Sequence, residues 1–270
     1  MDLIPQFAMG ALRPTTDVRD YKLKASAVCA ADLPSEYTCE IKAKVKNQGS
    51  VSSCVAHAMS TILEHHDGGE NKLSTNFIYG GQHSICGRDG AGMYLRDACK
   101  IVNTYGDPLE ADCRGNTEVT DCYSIADAAL NNEEAMKVAE RFKIKSYANL
   151  IGTQNVKYAI MNYGPVLASV KWYYDTKVVD GVMQTSHTGD YGYHAIVLYG
   201  WNEKGFLMQN SWGRDWGEDG RAILPYSYGL EEAKGIVDAD NDDIVVPERN
   251  WLLDLVYEII NFICNLFNKK

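Results

Sequence analysis

The sequence predicts an α+β fold in which a mainly helical first half precedes an antiparallel sheet. Four segments between residues 54 and 142 carry the apolar spacing or the capping residues of helices. After Gly164-Pro165 the pattern changes to short apolar runs rich in β-branched and aromatic residues. At 270 residues and 46% apolar content, the chain is long enough for one large domain or two modest lobes.

The first helix is predicted to begin at Cys54, with Ser52 or Ser53 as its N-cap. Its apolar positions fall on one side of a helical wheel and are Val55, Met59, Ile62 and Leu63. The other predicted helical segments are LSTNFIYGGQH behind a Ser74 cap, MYLRDACKIVNTYG closed by Gly106, and NNEEAMKVAERF.

The strands of the second half are predicted as VLASVKWYY, HAIVLYGW and FLMQNSW. The last two are joined by the residues NEKG, which have the composition of a hairpin turn. Pairing Trp201 with Phe206 across this turn leaves His194 out of line with Asn210. A β-bulge is therefore needed if these two side chains are to meet.

The N-terminal part, residues 1–34, contains three prolines that interrupt any periodicity, so we expect an extended arm. It shows no positively charged segment followed by a sufficient apolar run, and we see no secretory signal. Residues 35–246 hold the predicted helices and strands and form the main domain. These observations assign the protein to no particular cellular compartment.

The C-terminal part, residues 247–270, follows the acidic stretch DADNDD, which has the composition of a solvated linker. Polar residues recur every three or four positions through 251–267, so this run predicts an amphipathic helix with a wide apolar face. It is short for a membrane span. We expect it to dock on a membrane, a partner or its own domain.

Charge and cysteine content exclude some classes of function. A net charge of -10 and a pI near 5.1 argue against a nucleic-acid partner, because phosphate binding needs a basic face. The eight cysteines lack zinc-site spacing, so disulfides are favoured over a metal and an oxidising compartment is compatible. Two loops that a disulfide would close run from Cys113 to Cys122 and from Cys29 to Cys39. No cofactor is expected.

Cys54 has the chemistry of a nucleophile. A helix N-terminus carries unpaired N–H groups and a partial positive charge, which favour the thiolate that attacks carbonyl carbons. Acyl transfer also needs donors aimed at the developing oxyanion. The backbone N–H of Cys54 and the side-chain amide of Gln48 are two candidates for that role.

A thiolate needs a partner base, and His194 is the favoured one among the six histidines. It opens a predicted strand whose neighbour ends in QNSWG. Asn210 of that motif is expected to hold the imidazole in one tautomer, while Trp212 shields the hydrogen bond. His57 lies one turn along the first helix, where an imidazolium meets the unfavourable end of the helix dipole, so we interpret it as structural.

Three sequence blocks resemble those of the papain-like cysteine peptidase family. They are Gln48-Gly49 with Cys54, then GYHAIVLYGW, then NSWGRDWGEDG, in that order along the chain. The resemblance covers roughly residues 35–230. TTDVRDYKL, AGMYLRDA and LPYSYG are more similar to prokaryotic-type members than to plant papains or lysosomal cathepsins.

The resemblance implies a papain-like two-lobed fold, with a helical lobe, an antiparallel β-barrel-like lobe and the active-site cleft between them. It assigns the nucleophile to Cys54, the acid/base to His194, the orienting role to Asn210 and the oxyanion donor to Gln48. It also implies a protein or peptide substrate. The residues expected on the substrate side of the cleft are Gly92 through its backbone, Met93 as a wall of the S2 pocket, Tyr193 and Trp212.

Two features depart from the family pattern. Val51 and Val55 stand where many members have a cysteine and an aromatic residue, so the anchoring of the loop must differ. Tyr193 precedes the histidine in place of the frequent Asp or Gly, which bears on the pH range of the thiolate or on the leaving-group side of the cleft. For Met93, ordinary core packing is an equal alternative.

The function implied is a cysteine endopeptidase that acts through a Cys54 acyl-enzyme. Two alternatives stay open, an amidase or acyl transferase using the same site and a catalytically silent binding protein that kept the cleft. Family members are commonly made with an N-terminal segment that occupies the cleft. We therefore expect residues 1–34 to act as a short propeptide, held by extended backbone contacts or by a disulfide through Cys29, although packing on the back of a lobe is nearly as well supported.

Overall fold

The computed structural model describes residues 8–15, 22–23, 33–113 and 119–238, with the side chains of residues 22, 23, 119 and 120 left aside. The predicted C-terminal helix, residues 251–267, and the rest of 247–270 lie outside this part of the chain. Within the described part, no helix has both the length and the apolar content to cross a membrane.

The described residues form six α-helices: α1 Cys54–His66, α2 Thr75–Ser84, α3 Leu95–Thr104, α4 Val119–Leu130, α5 Glu133–Ala139 and α6 Thr153–Tyr163. The four predicted helices are confirmed as α1, α2, α3 and α5. Ser74 Oγ accepts a hydrogen bond from the Phe77 N–H at 3.0 Å, as expected of an N-cap. Ser53 occupies the N-cap position of α1, but its side chain makes no capping hydrogen bond.

Helices α4 and α6 were not predicted from the sequence. The α4 segment is rich in weak helix formers, and its packing on α2 supplies the stability that propensity does not. The two helices approach so closely that a Cβ on Gly80 would lie 1.9 Å from the Cys122 carbonyl oxygen. The signal for α6 was present, because Gly152 and Gly164 flank it and its buried residues Val156, Ala159 and Ile160 keep helical spacing.

Ten strands of the described residues form one sheet: β1 Lys22–Leu23, β2 Tyr37–Thr38, β3 Ile144–Leu150, β4 Val166–Tyr173, β5 Val178–Val179, β6 Val182–Met183, β7 Tyr191–Trp201, β8 Gly205–Gln209, β9 Arg221–Pro225 and β10 Glu232–Asp238. The order is β1-β3-β10-β4-β7-β8-β9-β6-β5, with β2 also on β7. The predicted β4, β7 and β8 are confirmed as antiparallel neighbours. Two pairings, β1 with β3 and β6 with β9, are parallel, and β1, β2 and β3 come from the part of the chain before Gly164.

The hairpin of β7 and β8 contains the β-bulge that the sequence required. Trp201 pairs with Phe206 and Gly200 with Leu207, but Leu198 pairs with Met208, so Tyr199 is the extra residue. Side chains alternate between the two faces of a strand, and one extra residue reverses the face of everything beyond it. The bulge therefore puts His194 and Asn210 on the same face of the sheet.

The buried helix α1 connects the helical part of the chain to the sheet. It is buried from Cys54 to Glu64 and contacts α2, α3, β4 and β7. One hydrophobic cluster joins α1 to Ala195 and Val197 of β7, and a second lies between α6 and the other face of the sheet. This packing fixes the N-terminus of α1 against β7.

The disulfide predictions are wrong for the described cysteines. Cys39 and Cys113 are free thiols, so neither the Cys29–Cys39 nor the Cys113–Cys122 bridge is formed. Cys113 is buried in the helical cluster, and the thiol of Cys122 hydrogen bonds to Asn76 Oδ1 at 3.6 Å. Burial and a polar neighbour satisfy these thiols without a covalent link. The main domain is held by its two hydrophobic clusters.

Candidate active site

The N-terminus of α1 and the start of β7 bring Cys54 to the backbone of Ala195, the residue that follows His194. Cys54 is the first residue of α1, and its Sγ accepts a hydrogen bond from the Ala195 N–H at 3.4 Å. His194 precedes Ala195 on β7, where it pairs with Val170 of β4. Both side chains are completely buried. Cys54 and Ala195, which are 141 positions apart in the chain, thus meet where helix and sheet join.

The imidazole of His194 is held in one tautomer by Asn210. Asn210 Oδ1 accepts hydrogen bonds from the Ser211 N–H at 2.8 Å and from His194 Nε2 at 2.7 Å. Because that atom is an acceptor, Nε2 carries the proton and Nδ1 keeps its lone pair. Nδ1 is buried and has no hydrogen-bond partner among the described residues. The geometry leaves one nitrogen of the ring available as a base.

Tryptophans surround this hydrogen bond. The Trp212 ring lies 4.5 Å from the His194 ring, and Trp172 makes an edge contact with the same imidazole at 5.1 Å. Trp172 and Trp212 also pack on each other and on Trp216. Excluding water from the His194–Asn210 pair strengthens the hydrogen bond between them.

Gln48 is fixed by the segment that contains Asn210. The Gln48 N–H donates to the Ser211 carbonyl at 2.8 Å, and Ser211 Oγ donates to Gln48 Oε1 at 2.6 Å. The Gln48 amide NH₂ group therefore has to point elsewhere, and it donates to Val51 O at 2.8 Å and Ala8 O at 3.1 Å. Ser211 therefore holds the oxygen of the Gln48 amide, while the amide nitrogen points toward the N-terminus of α1.

Burial keeps both members of the Cys54–His194 pair neutral in this structure. It raises the pKa of the Cys54 thiol to about 11, against the opposing effect of the Ala195 N–H and other backbone donors. It lowers the pKa of His194 to about 4, against the opposing effect of Asn210. The expected bias of the helix N-terminus toward a thiolate is thus outweighed here by desolvation.

Residues 8–12 of the N-terminal arm lie against the Cys54 site and add to its burial. The Ala8 carbonyl accepts from Gln48 Nε2 and from Trp212 Nε1, the latter at 3.2 Å. Backbone N–H groups of Gly10 and Ala11 lie near Cys54 Sγ and act to lower the pKa of its thiol. A Cβ on Gly10 would lie 2.0 Å from the Ser52 carbonyl oxygen, so the backbone of the arm sits directly on the loop before α1.

Met93 and Tyr193 form backbone hydrogen bonds with the arm. Met93 donates to Gly10 O at 2.7 Å and accepts from the Leu12 N–H at 3.0 Å, while Tyr193 O accepts from the Ala11 N–H at 3.1 Å. Ala11 runs parallel to Met93 and antiparallel to Tyr193. The arm is held by extended backbone pairing of the kind expected from the sequence.

The backbone groups of Gly92 and Met93 have different partners. The Gly92 N–H donates to Tyr79 OH at 3.1 Å and its carbonyl accepts from Arg88, so both of its backbone groups are engaged within the helical part. The backbone groups of Met93 are the ones that pair with an extended chain, and the Met93 side chain is fully buried in the helical cluster. The Trp212 ring is also almost completely buried.

His57 has its hydrogen-bond partners at the start of α1. His57 Nδ1 lies 3.0 Å from the Ser53 carbonyl and 3.2 Å from Ser53 Oγ, so it donates within the first turn of α1. Burial lowers its pKa to about 4. This is the structural role inferred from the sequence.

Two residues at the site were missed by the sequence analysis. Ser211 orients the Gln48 amide, and its position next to Asn210 in the NSWG block was the only available signal. Trp172 packs on His194 from a strand that is otherwise ordinary in composition, so no local pattern distinguishes it. Its role follows from the pairing of β4 with β7.

Known proteins match this chain in sequence and in structure. A family model described as papain family cysteine protease matches residues 32–227. A peptidase C1-like protein of Acanthamoeba polyphaga mimivirus is 24% identical over 210 residues, which are 69% of this chain and 65% of that protein. Cathepsin B-like cysteine proteinase 1 of Haemonchus contortus is 28% identical over 182 residues, 61% of this chain and 51% of its own. The chain spans between about half and two thirds of these relatives.

The similar solved structures have the same two-lobed α+β fold. Xylellain, a cysteine protease from Xylella fastidiosa, superposes with a TM-score of 0.72 at 22% identity, covering 86% of this chain and 97% of its own. Digestive procathepsin L 3 from Tenebrio molitor larval midgut superposes with a TM-score of 0.61 at 17% identity, covering 85% of this chain and 75% of its own. The predicted papain-like fold is confirmed.

Proposed function

This chain belongs to the papain family of cysteine proteases, and we propose that it is a cysteine endopeptidase kept latent by its own N-terminal arm. The observation that carries the proposal is the convergence of a helix-terminal thiol, an Asn-held imidazole and an anchored amide at one buried point. These are the groups that acyl transfer through a thioester requires.

The residues act in the following order in the proposed reaction. Cys54 gives its proton to His194 Nδ1 as the sulfur attacks the peptide carbonyl, and Asn210 holds the resulting imidazolium through Nε2. The oxyanion takes hydrogen bonds from the Cys54 N–H and from Gln48 Nε2. His194 then protonates the leaving amine, and a water molecule that transfers its proton to His194 hydrolyses the thioester.

The contacts of the arm support latency. Backbone N–H groups of Gly10 and Ala11 lie near the Cys54 sulfur and oppose the rise of its pKa, as the Ala195 N–H does. Burial outweighs these donors and keeps the thiol neutral. Release of the arm re-admits water, which restores the ion pair on which attack depends.

A thiol probe tests the proposal. Incubation with an epoxysuccinyl compound followed by mass spectrometry should label Cys54 and no other cysteine once the arm is displaced. Peptide hydrolysis should be abolished by Cys54→Ala and by His194→Ala, and Gln48→Ala should lower turnover by about a hundredfold with little change in substrate affinity.

His57→Gln is the matched control for the base, because His57 bonds only within α1. An equal loss in folded His57→Gln would contradict the assignment of His194. Thioester transfer to an added amine in preference to water would favour the amidase or acyl transferase alternative. A folded, arm-displaced protein that never labels at Cys54 would favour the silent binding protein.

We also propose that the apolar 251–267 run docks on a membrane or on a partner, on the strength of its sequence. Its polar residues form only a narrow stripe, which leaves a wide apolar face. Truncation after Pro247 should then reduce liposome binding or the oligomeric state. Equal behaviour of the truncated and full chains in both measurements would contradict the proposal.

A further inference from the structure

The loop between α2 and α3, residues 85–94, binds an extended chain through the backbone of one residue. The Met93 N–H donates to Gly10 O at 2.7 Å, and the Met93 carbonyl accepts from the Leu12 N–H at 3.0 Å. These two groups bond to the residues on either side of Ala11, which is the pattern of a parallel bridge. The position of this loop therefore decides how firmly an extended chain is held in the cleft.

The loop depends on other parts of the chain for its shape. Gly90 and Gly92 have φ angles of 97° and 83°, which glycine adopts without strain and which leave an unanchored loop with many alternative conformations. Cys86, near the start of the loop, is a free thiol, so it ties the loop to no other cysteine. The groups that fix the loop are then side chains that bond to its backbone.

Tyr79 holds the N–H group of Gly92. Tyr79 lies in α2 and is completely buried, and its hydroxyl oxygen accepts a hydrogen bond from the Gly92 N–H at 3.1 Å. Burial raises the pKa of this hydroxyl, so it stays neutral. A buried N–H group without a partner costs free energy, and the Tyr79 hydroxyl supplies that partner from a helix packed in the core.

Arg88 holds the carbonyl group of Gly92. Arg88 Nη2 donates to the Gly92 carbonyl, and the guanidinium group also lies 5.7 Å from the centre of the Tyr94 ring. These contacts fall on the residues immediately before and after Met93. Arg88 Nε lies 3.7 Å from Asp97 Oδ2, and Asp97 belongs to the first turn of α3. The planar guanidinium group therefore links the loop to α3.

We propose that Tyr79 and Arg88 are positioning residues for the peptide substrate. They fix both backbone groups of Gly92, and Gly92 in turn fixes the direction of the Met93 N–H and carbonyl. The proposal rests on the proposed peptidase function and adds two residues that act through Gly92 and Met93 rather than on the reacting atoms. The same two residues hold the arm in the latent chain, because the arm bonds to the same Met93 groups.

This role affects substrate binding rather than the chemical step. Backbone pairing with Met93 is present before the reaction and throughout it, so loosening the loop weakens the ground state and the transition state alike. The expected result is a higher KM at an unchanged kcat. A residue that only supports the fold would instead lower the active fraction of the protein, which appears as a lower kcat.

Tyr123 provides a matched control in the same loop. Its hydroxyl oxygen accepts a hydrogen bond from the Gly90 N–H at 2.9 Å, so Tyr123→Phe removes the same kind of bond two residues away from Gly92. Gly90 is exposed, and water can replace the lost partner there. Tyr79→Phe and Tyr123→Phe therefore differ in whether the N–H group left behind is buried.

The first test measures retention of the arm and needs no peptidase activity. In the full chain, the rate of Cys54 alkylation by iodoacetamide reports how often the arm leaves the cleft. Tyr79→Phe should raise that rate about tenfold, because one buried N–H group loses its acceptor, and Tyr123→Phe should leave it unchanged. In a Gly10→Ala chain the added methyl would lie 2.0 Å from the Ser52 carbonyl oxygen and keep the arm away, so Tyr79→Phe should have no effect there.

The second test measures substrate binding in full-length Gly10→Ala chains, where the arm does not compete. With fluorescein-labelled casein as the substrate, adding Tyr79→Phe should raise KM about tenfold and leave kcat unchanged. Adding Arg88→Met, which removes the guanidinium contacts, should change KM in the same direction. Adding Tyr123→Phe should keep both constants.

The outcomes separate this proposal from the peptidase proposal. A folded Tyr79→Phe chain with a wild-type alkylation rate would overturn it, and so would an equal rise in Tyr123→Phe or a rise of the same size in the Gly10→Ala chain. A fall in kcat at constant KM would also overturn it. If Tyr79→Phe fails to fold by circular dichroism, Arg88→Met decides by the same measurements. If no chain cleaves casein, the peptidase proposal fails, while the alkylation rates still decide whether Tyr79 holds the loop.

Discussion

The substitution Gly10→Ala should release the arm from the cleft while leaving the main domain intact. The added methyl carbon would lie 2.0 Å from the Ser52 carbonyl oxygen, 2.3 Å from its carbon and 2.7 Å from the Ser52 Cα. These are backbone atoms at the start of α1, so no side-chain rotation can relieve the overlap. Gly10 does not have a positive φ, and alanine is therefore unstrained once the arm is free.

The size of the effect follows from the contacts that must break. Moving Gly10 away from Ser52 takes with it the backbone hydrogen bonds of Gly10 and Leu12 to Met93 and of Ala11 to Tyr193. Each is worth about 1 kcal/mol net, so their loss costs the closed state about 3 kcal/mol. That free energy corresponds to an increase of about a hundredfold in the population with an open cleft.

Alkylation of Cys54 measures that population directly. The full-length wild-type and Gly10→Ala chains are treated with iodoacetamide, and the modified peptide is quantified by mass spectrometry over time. The rate should rise by about a hundredfold in the variant, and Gly189→Ala should match the wild type. An unchanged rate in a Gly10→Ala protein of normal thermal stability would refute the placement of the arm on the Ser52 loop.

Two further predictions concern side chains behind the site. Ser211→Ala removes the donor that holds Gln48 Oε1, so turnover should fall about fivefold at an unchanged KM, the equivalent of about 1 kcal/mol. A rise in KM at constant kcat would contradict the proposed role of Ser211 in orienting the Gln48 amide. Burial, assisted by the nearby Glu64 carboxylate, raises the pKa of Asp107 well above its usual range against the pull of Lys46, so the folded chain holds a proton that the unfolded chain loses as the pH rises. The contribution of this group to stability is present at low pH and is lost as the pH rises above the ordinary pKa of Asp. Asp107→Asn should remove this loss of stability and raise the melting temperature at pH 7 more than at pH 4. Equal changes in melting temperature at both pH values would show that the carboxyl group is not the cause.

The residues proposed for catalysis could be picked out from the sequence because each of them belongs to a short local pattern. Cys54 follows a serine-rich turn and opens an amphipathic helix, and both features are visible within ten or so residues. The hairpin of β7 and β8 was predicted from its turn, and the need for a bulge followed from counting residues across it. Periodicity and turn chemistry act over short distances, so they can be read locally.

Contacts between distant segments could not be predicted in this way. The pairing of Gln48 with Ser211, the tryptophan cluster behind His194 and the close packing of α4 on α2 all depend on which surfaces meet after folding. The disulfide predictions were wrong for the same reason, since cysteine spacing does not tell whether a thiol is buried beside an apolar or a polar neighbour.

The sequence by itself determined the residues proposed to carry the chemistry and the secondary structure that presents them. Only the tertiary structure decided their state, because the pKa values of Cys54 and His194 depend on the water that surrounds them. Trp172 and Trp212 cover His194. Residues 8–12, a segment with no regular local signal whose position is set by backbone pairing to Met93 and Tyr193, lie against the Cys54 site. Backbone pairing is nearly independent of side-chain identity, and for that physical reason the sequence does not encode it in a readable pattern.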